Sequence, residues 1–284
     1  MKRLLLGGVL VWVLAAGCAA REAAPPAALP TPAEVLARLR GRPHLRSLRT
    51  LASFQLQFAL NGAPVGILAR ELGLSGTYAG EAVLLWREPS SLRLEPLSPL
   101  GVPLFVVVAR GASLRAYLPG RARFFEGAAD AQSMARLFGV PIGSALFVRL
   151  LQGALPIAEG MDAGQARLAW DAEASALRLE LPPGDALDRR QVVWLEPDGW
   201  SPRAARLGEP GAEMEVRFGP FRDWSGVRVP EWMEVAGPGR ASRLRLEVSS
   251  PPASPPADFP DSVFDLPVPP GVPVFPLEGE SLRG

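Results

Sequence analysis

The sequence predicts a mainly β protein: one curved antiparallel sheet of about eleven strands whose apolar face is covered by two or three short α-helices. Three observations carry that expectation. From Leu51 onward, apolar residues alternate with Arg, Glu, Gln or Ser in short runs, the period of a strand with one wet face. Turn dipeptides containing glycine separate successive runs, and only a few stretches switch to helical spacing.

The elements follow in chain order. Lys2 and Arg3, the apolar run Leu4 to Leu14 and the small residues Ala15, Ala16 and Gly17 read as an export leader over residues 1–17. Its apolar core is too short for a spanning helix, which needs roughly 20 residues. Cleavage there makes Cys18 the first residue of the mature chain. Residues 18–30, small and rich in proline, read as a flexible tether. Thr31 then caps a short helix, with Pro32 in its first turn and Gly41 at its end.

In "ASFQLQFAL" the residues Phe54, Leu56, Phe58 and Leu60 alternate with Ser53, Gln55, Gln57 and Ala59. The same alternation recurs in "SLRLEPL", "SLRAYL", "SALRLEL", "AEMEVRF" and "SRLRLEV", which places these strands in an antiparallel sheet. Denser runs, "AVLLW", "LFVVVA" and "VVWL", predict strands covered on both faces. Turns are expected at Asn61-Gly62, Arg110-Gly111, Pro119-Gly120, Pro183-Gly184 and Asp198-Gly199. The long first hairpin leaves room for a further strand at Val65 to Ala69. Helices are expected over Ala129 to Gly139, with Met134, Leu137 and Phe138 on one side, and over Gly143 to Gly153, with Leu146, Phe147, Leu150 and Leu151 on one side. The main domain covers residues 31–250. Residues 251–284 hold too many prolines for interior strands and are expected to wrap the surface or cap an edge.

Composition removes several function classes. With one cysteine in 284 residues no intrachain disulfide forms, so stability must come from the core. The formal charge is +1, or −1 without Lys2 and Arg3, and the arginines are interleaved with acids, unlike a nucleic-acid footprint. His44 is the only histidine, in "RPHLRS", and reads as a surface or cap residue. Lys2 is the only lysine, and no nucleophile elbow, zinc-protease helix, Walker loop or dinucleotide fingerprint occurs. Asp171 with Glu173 and Asp185 with Asp188 flank turns, where acids are favoured without catalysis. The chain therefore reads as a non-enzyme without metal. Its apolar residues, 48% of the chain, gather on one sheet face and on helix faces, as in a protein that packs on itself or holds an apolar ligand.

The segments "WREPSSLRLEPLSPLGVPLFVVV" (Trp86 to Val108) and "ARLFGVPIGSALFVRLLQGALP" (Ala135 to Pro156) resemble the LolA/LolB family of outer-membrane lipoprotein carriers and receptors, the LolB branch most closely. The resemblance runs through the loop Pro99-Leu100-Gly101, the turn Gly139-x-Pro141-Ile142 and the helix end at Leu151, Gly153 and Pro156. It implies an incomplete (half) antiparallel β-barrel covered by short helices, with acylated lipoproteins or lipids bound in a hydrophobic cavity. A LolA-like periplasmic carrier is the implied donor, and Leu100 maps onto the family's protruding, membrane-inserting residue. Alternation and helix faces select Phe54, Leu56, Phe58, Trp86, Leu92, Leu94, Leu146 and Leu150 as lining residues. Leu14-Ala15-Ala16-Gly17-Cys18 resembles a lipobox, which implies a covalent lipid at Cys18 and no other cofactor. Ala19, rather than aspartate, implies onward export to the outer membrane, where the anchored domain, expected as a monomer, faces the periplasm. Three roles stay open: an acceptor that inserts lipoproteins into the outer membrane, a lipid-binding protein without transfer, and a structural lipoprotein whose half-barrel is filled by its own side chains.

Overall fold

The computed structural model describes residues 25–58, 66–74, 76–158, 160–184, 189–224, 226–240, 242–248 and 259–277. Cys18 and the leader, the Asn61-Gly62 turn, Asp185, Asp188 and the linker residues 249–258 lie outside that set, as does the side chain of Phe58. The described residues form four α-helices and sixteen strands, fourteen of them in one open sheet.

The first half of the sheet is a meander: β1 (Ser47–Phe58), β2 (Thr77–Arg87), β3 (Ser91–Pro96), β4 (Val106–Arg110), β5 (Ser113–Leu118) and β6 (Arg123–Ala128). The chain then crosses to the far edge and meanders back through β7 (Arg167–Asp171), β8 (Ala176–Leu181), β9 (Gln191–Leu195), β10 (Pro202–Leu207), β11 (Met214–Phe218), β14 (Trp232–Ala236) and β15 (Ser242–Val248). A separate hairpin, β12 (Phe221–Trp224) and β13 (Val227–Pro230), interrupts the return. β15 pairs with β1, Leu246 opposite Phe54 and Leu244 opposite Leu56, and this seam joins the two halves. β7 stays an edge, so the barrel does not close.

The crossing explains the helices. Leaving β6 for β7, the chain traverses the apolar face as α3 (Ala131–Phe138) and α4 (Ser144–Leu151). Asp130 caps α3 through the Ser133 N–H, and Gly139 ends it in the left-handed region. Met134, Leu137, Phe138, Phe147, Val148 and Leu150 are buried in one core with the inward residues of the sheet. Each such side chain contributes roughly 2 kcal/mol of transfer free energy. α1 (Pro32–Arg40) is closed by a capping box: the Glu34 carboxylate accepts from the Thr31 backbone N–H at 2.7 Å, and Thr31 Oγ1 accepts from the Glu34 N–H at 3.3 Å. The strand expected at Val65 to Ala69 is instead α2 (Ile67–Leu72). Gly66 and Gly73 bound it at φ of +91° and +65°, and Ile67, Leu68 and Ala69 are buried.

The proline-rich C-terminus builds a second, smaller core on the outer face. Phe264 and Leu266 pack with Leu85, Val106, Val108 and Phe124, and β16 (Val274–Pro276) pairs parallel to β6 at the sheet edge. This outer cover accounts for the dense runs of β2 and β4, which are buried on both faces. Outward arginines hold the segment down: Arg87 binds Asp261 at 2.5 Å, Arg110 binds Asp265, and Arg93 donates to the Val263 carbonyl at 3.0 Å.

Candidate functional site

The helix-covered face brings together six of the expected lining residues. Trp86 stands opposite Leu92 and Leu84 opposite Leu94 on β2 and β3, while Phe54 and Leu56 lie on the same face of β1. Leu150 reaches them from α4, and Leu146, on the same helix, is half-buried at the margin. Phe54, Leu56, Trp86, Leu92, Leu94 and Leu150 are each at most 2% exposed. The concave face is thus packed with the chain's own side chains and helices. The approach of α2 to α3 is close: a Cβ on Gly66 would stand 2.5 Å from the Leu137 carbonyl oxygen. That contact requires glycine there, and the φ of +91° requires it again.

Leu100 sits at the tip of the β3–β4 connection. The Gly101 N–H donates to the Ser98 carbonyl at 2.8 Å, the Ser98 N–H to the Val102 carbonyl at 2.8 Å and the Val102 N–H to Ser98 Oγ at 3.2 Å. Serine first, proline second and glycine last is the sequence a tight β-turn favours. The turn holds Leu100 89% exposed with Val102 57% exposed two residues on.

Two clefts lie away from the concave face. A broad trough of about 1000 Å³ on the outer surface runs past Trp194 and Trp232 between ion-paired side chains. Several of its charges are paired: Arg190 with Glu180, Arg203 with Glu196, Arg240 with Glu215. Asp171 at its rim accepts from the Ala174 N–H at 2.9 Å and from the Trp194 indole at 2.8 Å, and those two bonds lower its pKa below the usual carboxylate value. A carboxylate held in its charged form by turn and indole donors is a structural acceptor. A second cleft of about 640 Å³ opens beside α1 and α4. His44 lies there, its Nε2 3.4 Å from Glu88. Neither cleft was legible in the sequence, because its walls come from segments far apart in the chain.

No group of three metal-ligating side chains occurs among the described residues, and none of their helices is long and apolar enough to cross a membrane. The fold defines an open antiparallel half-barrel with a helical cover. Neither a protein-family model nor a curated relative matches the sequence. Among solved structures, a DUF1329 family protein from Desulfovibrio piger shares the fold, with a TM-score of 0.51 and 12% identity over 82% of this chain and 95% of that one. A LolA superfamily protein from Nitrosomonas europaea has a TM-score of 0.48 and 12% identity over 84% of this chain and 99% of that one. A putative outer membrane lipoprotein-sorting protein domain from Vibrio parahaemolyticus has a TM-score of 0.48 and 14% identity over 82% and 94%.

Proposed function

We propose that this protein is an outer-membrane lipoprotein, anchored through Cys18 and facing the periplasm, that receives acylated cargo and helps insert lipoproteins into that membrane. It works by binding, without a catalytic step. The observation that supports this most is Leu100, an exposed leucine on a rigid turn at one end of a half-barrel whose apolar face is covered by helices. The LolB-like order of the Pro99-Leu100-Gly101 and Gly139-x-Pro141-Ile142 segments supports the same reading. Cargo would enter between sheet and helices. Each methylene moved from water into that core is worth about 0.8 kcal/mol, so a long acyl chain could take the place of part of the helical cover. A LolA-like carrier would supply the cargo down a shallow gradient, since the proposed reaction uses no nucleotide.

The full burial of the six lining residues favours a second reading, in which the half-barrel is a filled scaffold and the protein is a structural or non-transfer lipid-binding lipoprotein. Depleting the protein separates the two. Transfer predicts that lipoproteins accumulate off the outer membrane, measured by fractionation; normal sorting in its absence favours the scaffold.

A further inference from the structure

Across the outer strands most arginines are met by a carboxylate, as in Arg93–Glu95, Arg115–Glu126, Arg206–Glu215 and Arg245–Glu247. The second cleft breaks that rule. Arg40, Arg42, Arg149 and Arg228 all line it, and among the described residues none of the four has a carboxylate partner. They are held by neutral acceptors instead: Arg40 donates to the Ala158 carbonyl at 2.8 Å, Arg42 to Ser201 Oγ at 2.7 Å, Arg149 to the Leu155 carbonyl at 3.2 Å and Arg228 to the Phe221 carbonyl at 3.3 Å. Such bonds fix the guanidinium groups without neutralising them.

Arg42 and Arg228 meet at Phe221, where Arg42 lies over the ring at 5.2 Å. Burial, then Arg228, then Arg38 push the pKa of Arg42 down. Arg42 is partly buried while Arg40, Arg149 and Arg228 reach solvent at the rim, and like charges gathered on one wall favour an anion between them. Glu88, the one carboxylate among the described residues of the wall, is already engaged, accepting from Gln152 Nε2 at 3.2 Å and facing His44. The rest of the lining is apolar, with Leu155 and Ile157 buried and Leu39 half-buried. The volume of about 640 Å³ is that of a small-molecule site.

We propose that this cleft binds the phosphate of an anionic amphiphile, the phosphate between the Arg42, Arg149 and Arg228 guanidinium groups and the alkyl part against Leu39, Leu155 and Ile157. The site lies by the β2–β3 turn, at the opposite end of β3 from Leu100. The inference stands independently of the transfer reading, because it concerns a different cleft and a different chemical group.

Titration calorimetry of the purified full chain with dihexanoylphosphatidylglycerol below its micelle concentration tests it. The expected result is saturable binding that weakens about tenfold for each guanidinium removed in Arg149→Gln and Arg228→Gln, both of which start from exposed positions. The melting temperature should stay within about 3 °C, and the Arg217→Gln control on the outer surface should bind as the parent does. Equal binding of dihexanoylphosphatidylcholine would overturn the charge recognition. Equally tight binding of inorganic phosphate would overturn the amphiphile and leave a free-phosphate site. Absence of saturable binding, or binding unchanged in the double variant, would remove the site.

Discussion

At the scale of single residues, Leu100 is the most exposed of the large apolar side chains among the described residues. Burying a leucine is worth roughly 2 kcal/mol, yet Leu100 forgoes that gain at the tip of a hydrogen-bonded turn. Leu100→Glu should leave the melting temperature within about 2 °C of the parent, because no buried contact is lost. The same variant should impair cargo release in a reconstituted transfer assay, measured as the fraction of lipoprotein reaching acceptor membranes; unchanged release would return Leu100 to a turn residue. Residue pattern alone selected Phe54, Leu56, Trp86, Leu92 and Leu94 as one face, and the structure puts them on one face. Alternation fixes which side chains go together, but it says nothing of how fully helices cover them, so their near-complete burial was not legible.

At the scale of elements, the best-read segments are those with punctuation. Thr31-Pro32 and Gly41 bound α1, and Gly139 and Gly143 bracket the turn between α3 and α4, so both ends are written in residue type. Ile67 to Leu72 is only six residues long, too short for its period to separate strand from helix, and the deciding fact is tertiary: its close approach to α3. The sheet has more strands than the alternation suggests because runs such as "PRAARL" (β10) and "RLAWD" (β7) lack strong apolar contrast, while β16 lies among prolines. The C-terminal segment is expected to stabilise the whole sheet. Phe264→Ala should cost about 3 kcal/mol in urea unfolding, since it removes a buried ring from the outer core and the surface over which Arg87 lies. Val268→Ala, at an exposed position of the same segment, should change stability by less than about 0.5 kcal/mol. Equal losses would mean that the segment does not pack through Phe264.

At the scale of the whole molecule, topology lays helices across the apolar face of the sheet. Two meanders joined at the β1–β15 seam leave the chain one way from β6 to β7, across the apolar face, and α3 and α4 are that crossing. The outer face is covered separately by the C-terminal segment over β2 to β6, and the trough and the arginine cleft lie outside that cover. The antiparallel class and the helices could be read from the chain because both depend on local period. The arginine cleft could not, because residues 40, 149 and 228 meet only in the fold. The central claim, that acyl cargo lodges between sheet and helices, is tested most directly by mass spectrometry of ligands that co-purify with a soluble Cys18→Ser form of the chain. Acylated peptides retained in near-stoichiometric amount are the predicted result. A protein that emerges with no acyl ligand, its concave face filled only by its own side chains, would contradict it.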